Sequence, residues 1–562
     1  MDSCSLKSSG FSQWLLLGFL LVFTLVWFSN LEYRKLANPD EGRYAEIPRE
    51  MVLSGDWVTP RLNDLKYFEK PPLQYWATAA AFRVFGESHW AARWWPATTS
   101  FGCVLLMFWA GRRLFGGEIG LAAAAALGGC TGFVINAHVN TLDAGLAAFL
   151  TVGLLGFLLA QRPGATPAEN RNWMLVVWAA MALGVLSKGL IGVVLPGAVL
   201  AIYLLIERDW RLLTRLHIGK GLVLLLLIAV PWFVAVSLAN DEFARFFFIH
   251  EHFARFLTKV HHREGAWWYF IPILLFGAMP WLPFIAVQLR DGWRREGEPG
   301  TLQPRRLLLI WAAFIFLFFS VSGSKLPSYI LPVFPALALF AAMEMQRMAP
   351  ATLSRFAWGL AASGGVLLLV VLLGGERIAE AFSNESSPFE IVRNVVPWIG
   401  ASIFVFTAGA VVAAWLFRRY GRSIGIVALA LGSLGAGILA LGGYDELSRL
   451  SSSYYLVREI EARQGPFDRT LPFYSVQMYD QTLPFYLKRP VTLVQYIDEF
   501  ALGMDAEPGK GIQRVEDWKK RWAALEQGYA ILSPSNYEQI AAGGLPMRVL
   551  ARDPRRVIVS RQ

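Results

Sequence analysis

The sequence predicts an all-α polytopic membrane domain followed by a small water-soluble α/β domain, and three observations carry that expectation. The chain of 562 residues is 55% hydrophobic and only 17% charged. Several apolar runs approach the roughly 20 residues an α-helix needs to cross a hydrocarbon core about 30 Å thick. Two of them, "LLLLIAVPWFVAVSLA" and "VVLPGAVLAIYLLI", are apolar on every face, as lipid-embedded helices are. From about Tyr444 the pattern changes to an amphipathic stretch, "SYYLVREIEARQ", and then to short strand-like runs such as "RTLPFYSV", "PVTLVQY", "YAILS" and "RRVIVS".

The first apolar run, "FSQWLLLGFLLVFTLVWF", follows Lys7 without a small-x-small cleavage site after it, so it reads as an uncleaved span rather than a signal peptide. Cys4 precedes that span while Cys103 and Cys130 fall in apolar runs, which leaves no disulfide framework. The formal net charge of +10 is spread between spans instead of gathered into one stripe with interleaved aromatics, which argues against a nucleic-acid partner. Basic residues occupy alternate connections: Arg112 with Arg113, "ERDWRLLTRLHIGK", "LRDGWRREGEPGTLQPRR", Arg347, and Arg418 with Arg419 and Arg422. The positive-inside rule puts these in the cytoplasm.

Flipping at each run from a cytoplasmic N-terminus gives about 13 spans. Their centres fall near Leu20, Val104, Ala125, Leu150, Val177, Leu195, Leu225, Leu275, Ile315, Ala338, Leu368, Phe406 and Leu429. The odd count places the C-terminus outside. The expected division is a transmembrane domain over 1–443 and an outward-facing α/β domain over 444–562, roughly 120 residues and within ordinary domain size.

The outward segment between the first two spans is too long for a turn. Its stretches "YAEIPREMVLSGDW" and "PPLQYWATAAAFRVF" alternate apolar and polar residues at helical spacing, which suits helices lying in the membrane interface. It also holds Asp40, Glu41, Arg43, Glu46, Glu69 and Lys70. Charges beside a bilayer are costly unless paired, hydrated or employed. On a helix Asp40, Arg43 and Glu46 stand three apart and form a surface ion-pair ladder of only tenths of a kcal/mol; Asp40, after Pro39, is also placed as an N-cap. The pairs Trp94 with Trp95 and Trp267 with Trp268 read as interface anchors.

"PDEGRYAEIPREMVLSGDWVTPRL" followed by "YFEKPPLQYW" resembles the bacterial aminoarabinose lipid A transferases, members of the polytopic membrane glycosyltransferase class, GT-C-like in fold, that includes the protein O-mannosyltransferases. The resemblance continues through "TLDAG", "SKGLIG", "FFFIHEHFARF", "HHREGAWWYFIPIL", "MPWLPF" and "FFSVSGSKLPSYILP", to about Pro335. It implies transfer of 4-amino-4-deoxy-L-arabinose from undecaprenyl phosphate to lipid A phosphates at the periplasmic face of the bacterial inner membrane, with lower surface charge and polymyxin resistance as the consequence. The alternatives are a related transferase using another polyprenyl phosphate sugar or a protein hydroxyl, and a lipid transporter.

Both substrates of such a transfer are anionic lipids, so the site needs cations where head groups lie. The candidates are Asp40 and Asp143 for catalysis, and Glu41, Arg43, Tyr44, Tyr67, Lys70, Lys188, Lys325 and Tyr329 for substrate binding. Lys and Arg stabilise charge growing on a departing phosphate. The nucleophile is a phosphate oxygen already ionised near neutral pH, which reduces the need for a strong base. Asp40 and Asp143 then orient the acceptor or stabilise a cationic sugar, and a carboxylate also suits the sugar's ammonium. Four of seven histidines, His250, His252, His261 and His262, share one outward segment. Glu69 with His250 and His252 offers zinc-type ligands, although the spacing matches no zinc signature.

Overall fold

The computed structural model describes residues 3–254, 265–294 and 301–561, with side chains over 13–249 in the first stretch. Helix α1 (Ser3–Phe28) is followed by α2 (Asp40–Ser54), a hairpin of β1 (Arg61–Leu62) and β2 (Leu65–Lys66), α3 (Leu73–Phe85) and α4 (His89–Phe115). The hairpin turns on Asn63 and Asp64 at φ 56° and 60°, the left-handed backbone that a two-residue turn between twisted strands requires.

The chain continues through α5 (Gly117–Gly128), α6 (Thr131–Ala137), α7 (Asp143–Gln161), α8 (Pro167–Lys188), α9 (Ile191–Glu207) and α10 (Ile218–Ala239). Beyond these lie Phe270–Gly277, Leu282–Asp291, Pro304–Val321, Phe334–Arg347, Pro350–Phe382, Phe389–Tyr420 and Arg422–Ser451. Among the described residues, seven helices are long and apolar enough to cross a membrane, or up to nine if two bent pairs each count as one span. The bends are 64° between α5 and α6 and 113° between Phe270–Gly277 and Leu282–Asp291. Every expected span centre, from Leu20 to Leu429, falls inside a helix. The protein is a multi-pass, mostly helical membrane protein.

Burial sorts the helices. The apolar window of α7 is 89% buried and that of α10 only 17%, so α7 is central while α10 turns Leu222, Val223 and Leu227 outward toward lipid. Small residues bring helices close: a Cβ on Gly409 would stand 2.6 Å from Gly432, so the last two long helices touch through backbone. Cys103 and Cys130 are buried and unpaired.

Connectivity makes alternate helix ends coincide. Helix α7 starts at Asp143 and ends at Gln161, α8 returns to Lys188, and α9 leaves again to Glu207. Asp143 and Lys188 therefore share one end of the bundle. Arg162, Glu207, Asp209, Arg215 and Gln303 gather round a separate cavity of about 370 Å³ at the other.

The helix Arg422–Ser451 runs past Gly443, and the C-terminal unit opens with Tyr454–Gln464. Its six-stranded sheet has the order β5-β4-β3-β6-β8-β7, from β3 (Phe473–Val476), β4 (Thr492–Val494), β5 (Gly511–Ile512), β6 (Gly528–Leu532), β7 (Arg548–Arg552) and β8 (Val557–Arg561). Strands β3 to β6 pair in parallel, and β8 pairs antiparallel with β6 and β7. The helix Val515–Ala524 covers one face with fully buried Trp518 and Trp522.

This unit sits on α2 and the hairpin. Asn63 Nδ2 donates to the Val491 carbonyl at 2.7 Å and its Oδ1 accepts the Val491 N–H at 2.7 Å; Arg61 meets Glu507 at 3.0 Å. A Cβ at Gly42 would lie 2.6 Å from the Gln481 backbone, so only glycine permits this approach. Helix α2 is therefore buried within the protein along most of its length. The expected surface ladder is corrected accordingly: Arg43 meets Asp40 at 3.1 Å, while Glu46 pairs with Arg49 at 2.5 and 2.7 Å, buried beneath the C-terminal unit.

Candidate active site

Polar residues from five segments of the membrane-embedded part and one of the C-terminal unit line a cavity of about 160 Å³. The lining includes Asp40, Arg43, Tyr44, Glu69, Lys70, Thr141, Asp143, Lys188 and Tyr329, together with Asp498 and Glu499. Three of its charges sit at the ends of helices. Asp40 lies in the first turn of α2 and Asp143 in that of α7, where the helix dipole favours an anion; Lys188 is in the last turn of α8, where it favours a cation.

Asp143 is fully engaged. One carboxylate oxygen takes the Lys188 ammonium and the other accepts from Ser328 Oγ at 2.8 Å. Lys188 Nζ also stands 4.5 Å from the centre of the Tyr329 ring, a cation–π contact. Asp40 is less constrained: Oδ1 accepts from Arg43 Nη1 at 3.1 Å, and the side chain is 30% exposed. Pro39 occupies the N-cap position and makes no side-chain cap bond, so the capping role considered for Asp40 is not the one it has.

Arg43 also reaches across to the C-terminal unit, its Nε 2.7 Å from Glu499 Oε2. Burial raises the Glu499 carboxyl above the usual range, with Arg43 opposing. Lys70 Nζ donates to the Glu69 carbonyl at 2.8 Å and lies 3.9 Å from its carboxylate.

Three substrate-binding candidates lie outside the lining. Glu41 is buried behind α2, where Arg93 Nε and Nη2 donate to its two oxygens at 2.7 and 2.8 Å, and the Asn140 and Ala37 N–H groups add bonds at 3.0 and 3.1 Å. Burial works against its ionisation, but Arg93 prevails and holds the carboxyl down at about 2. Such a saturated carboxylate has nothing left for a substrate, so Glu41 acts as a clasp joining α2 to α4. Tyr67 is buried under the Arg43 guanidinium, 5.9 Å from ring centre to Cζ. Lys325 turns its ammonium onto the Ser320 and Ser322 carbonyls at 2.9 and 2.7 Å.

Among the described residues no three His, Cys, Asp or Glu gather into a metal-holding group. The His250 and His252 side chains, like His261 and His262, lie outside the described residues. Sequence reasoning missed Ser328, Asp498 and Glu499. Ser328 stood within the quoted "SKLPSY", whereas Asp498 and Glu499 follow a strand in a domain read only for its hydropathy.

Residues 456–561 match the aminoarabinose transferase C-terminal domain, and residues 12–247 match dolichyl-phosphate-mannose-protein mannosyltransferase. The chain is 32% identical over 429 residues to the undecaprenyl phosphate-alpha-4-amino-4-deoxy-L-arabinose arabinosyl transferase of Pectobacterium carotovorum, covering 75% of this chain and 76% of that protein. Against the protein of the same name from Edwardsiella ictaluri it is 34% identical over 332 residues, and the match spans 59% of that relative's length. The crystal structure of ArnT from Cupriavidus metallidurans bound to undecaprenyl phosphate superposes with a TM-score of 0.90 at 38% identity, covering 98% of both chains.

Proposed function

This chain belongs to the undecaprenyl phosphate-aminoarabinose arabinosyl transferases, membrane glycosyltransferases with a polyprenyl phosphate-linked sugar donor, and from that premise we propose how it works. It transfers 4-amino-4-deoxy-L-arabinose from undecaprenyl phosphate to lipid A phosphates, lowering surface negative charge and so protecting the cell from polymyxin. It lies in the bacterial inner membrane with about 13 spans: the seven long helices, the two bent pairs, and α1, α4, α8 and α9. The cavity faces the periplasm, with α2 and α3 near the membrane interface.

The observation that carries this reading is the convergence of Asp40, Asp143, Arg43, Lys70 and Lys188 on one cavity at the bundle end opposite the arginine-rich connections. Lys70 and Lys188 hold the phosphate of the carrier lipid and stabilise the charge it gains as the bond from the sugar's anomeric carbon to phosphate oxygen breaks. An ionised lipid A phosphate oxygen forms the new bond, so no proton need be removed from the nucleophile. Asp40, with Arg43 beside it, faces the positive charge that develops on the sugar. Asp143 keeps Lys188 in place and serves as a positioning residue. A transporter reading is not favoured, because the breaks in both bent pairs, 129–130 and 278–281, contain no charged residue.

Zinc held by Glu69 with His250 and His252 is a separate proposal, and no step above runs through it. Glu69 faces Lys70 and Arg43, cations that compete with a metal for its carboxylate. Chelation followed by zinc re-addition tests it: unchanged transfer throughout would reject the metal.

Mass spectrometry of lipid A from cells with and without the intact protein tests the function. An aminoarabinose increment is expected only with the protein; its absence at normal donor supply would refute the transfer. A reporter active only outside the inner membrane should work after Gly443 and fail within "DGWRREGEPG". The reverse pattern would overturn the orientation.

A further inference from the structure

The charges around the cavity divide unevenly between the two parts of the chain. Among the described residues, the membrane-embedded part lines it with the carboxylates Asp40, Glu69 and Asp143 and the cations Arg43, Lys70 and Lys188. Each carboxylate stands against one of those cations. The C-terminal unit adds Asp498 and Glu499 and, among its described residues, no cation. The described lining is thus acidic on the side that this unit closes.

Asp498 is exposed and accepts a hydrogen bond from Tyr496 at 3.2 Å. Glu499 is different: its side chain is only 6% exposed, and Gln481 Nε2 fixes Oε1 at 2.5 Å. Oε2 lies 2.7 Å from Arg43 Nε in an ion pair whose N–H is not aimed along the contact, so this buried oxygen keeps unused accepting capacity. A buried carboxylate oxygen held by one poorly aligned ion pair gains free energy from an incoming N–H group that is aimed at it. Fold position supports the same conclusion. Glu499 and Gln481 follow the carboxyl ends of β4 and β3, the edge at which open α/β sheets bind ligands.

We infer that Glu499 is a specificity-determining residue, whose carboxylate accepts the ammonium of the transferred sugar, so that the C-terminal domain selects an amino sugar over its hydroxyl counterpart. The inference rests on the transfer reading above and names the group that recognises its substrate. Lys70 and Lys188 take the phosphate and Glu499 takes the amine, so the two ends of the donor head group are distinguished by charge.

The test uses the full-length protein in membranes with two donors, undecaprenyl phosphate-linked 4-amino-4-deoxy-L-arabinose and undecaprenyl phosphate-linked L-arabinose. The parent should prefer the amino donor, and Glu499→Gln should lower the ratio of kcat/KM values by about tenfold or more, chiefly through KM for the amino donor. Glu499→Asp, which keeps the charge, should retain more of the preference; if Glu499→Gln does not accumulate, the same ratio is read on this variant, where an unchanged ratio counts against the inference. Equal losses on both donors would make Glu499 a brace for Arg43 and overturn it. A parent that uses both donors equally would overturn it while leaving the transfer standing. A parent inactive with the amino donor would refute the transfer reading itself, and this inference with it.

Discussion

Asp40 and Glu41 are neighbours in sequence, carry the same charge and open the same helix, yet they belong to two different regions. Glu41 faces backward into a clasp where Arg93, Asn140 and Ala37 all donate to its carboxylate. Asp40 faces forward into the cavity, with Arg43 on one oxygen and 30% of its side chain exposed. The difference teaches that burial and pairing alone do not mark a functional acid. A buried charge whose oxygens are all taken holds the fold, whereas one held on a single side is available to a substrate.

The largest expected effect falls on the clasp. Glu41→Gln leaves the Arg93 guanidinium buried without a counter-charge, which costs about 3–5 kcal/mol. Thermal unfolding of the detergent-solubilised protein should shift strongly downward, with poor accumulation in the membrane. The same pair has a pH signature. A carboxyl at about 2 in the folded chain, against an ordinary 4.5, contributes stability that is complete above pH 4.5 and lost as pH falls toward 2. Acid titration of unfolding in parent and variant should differ within that window. Equal stability of the two proteins at neutral pH would dissolve the contrast between the regions.

Next comes Asp40→Asn, which keeps shape but removes charge. Transfer should fall by roughly 10²–10³-fold, the scale of losing one transition-state electrostatic partner, while the protein accumulates normally. Near-normal lipid A modification would place Asp40 with Glu41 as structure. A smaller loss, on the order of tenfold or more, is expected for Lys70→Ala, with Lys70→Arg intermediate because the wider guanidinium replaces a compact ammonium. Parent-like modification by the alanine variant would remove Lys70 from the phosphate site. The smallest change is Ser328→Ala. It deletes one of two partners of Asp143, worth about 1 kcal/mol, and should lower transfer several-fold at unchanged KM for lipid A; no change would show that Lys188 alone suffices to hold Asp143.

Much of the architecture was legible because its causes are local. An apolar run long enough to span lipid must satisfy its own backbone as a helix, so the helix at Leu20 and those that follow it to Leu429 were readable one run at a time. The strands "FYSV", "TLV" and "YAIL" declared themselves in the same way. Asp40, Arg43, Lys70, Asp143 and Lys188 were candidates because charge at a membrane boundary demands a reason, and all five line one cavity. Lys325 had the same claim but caps its own loop through the Ser320 and Ser322 carbonyls, a choice of side-chain direction that spacing does not encode.

What sequence alone determined, then, is that the chain is a multi-pass, mostly helical membrane protein, that a sheet-bearing unit follows its last long helix, and which charges fall between the apolar runs. Each is a transfer free energy summed over neighbouring residues. Only the tertiary structure decided that Glu41 and Arg93, 52 residues apart, close on each other, and that the C-terminal domain sets Glu499 against Arg43. Those pairings depend on where helix ends meet after packing. The close approach at Gly42, where no Cβ intervenes, brings the Gln481 loop down onto α2, and Gln481 in turn holds Glu499 of the neighbouring loop, which lines the cavity.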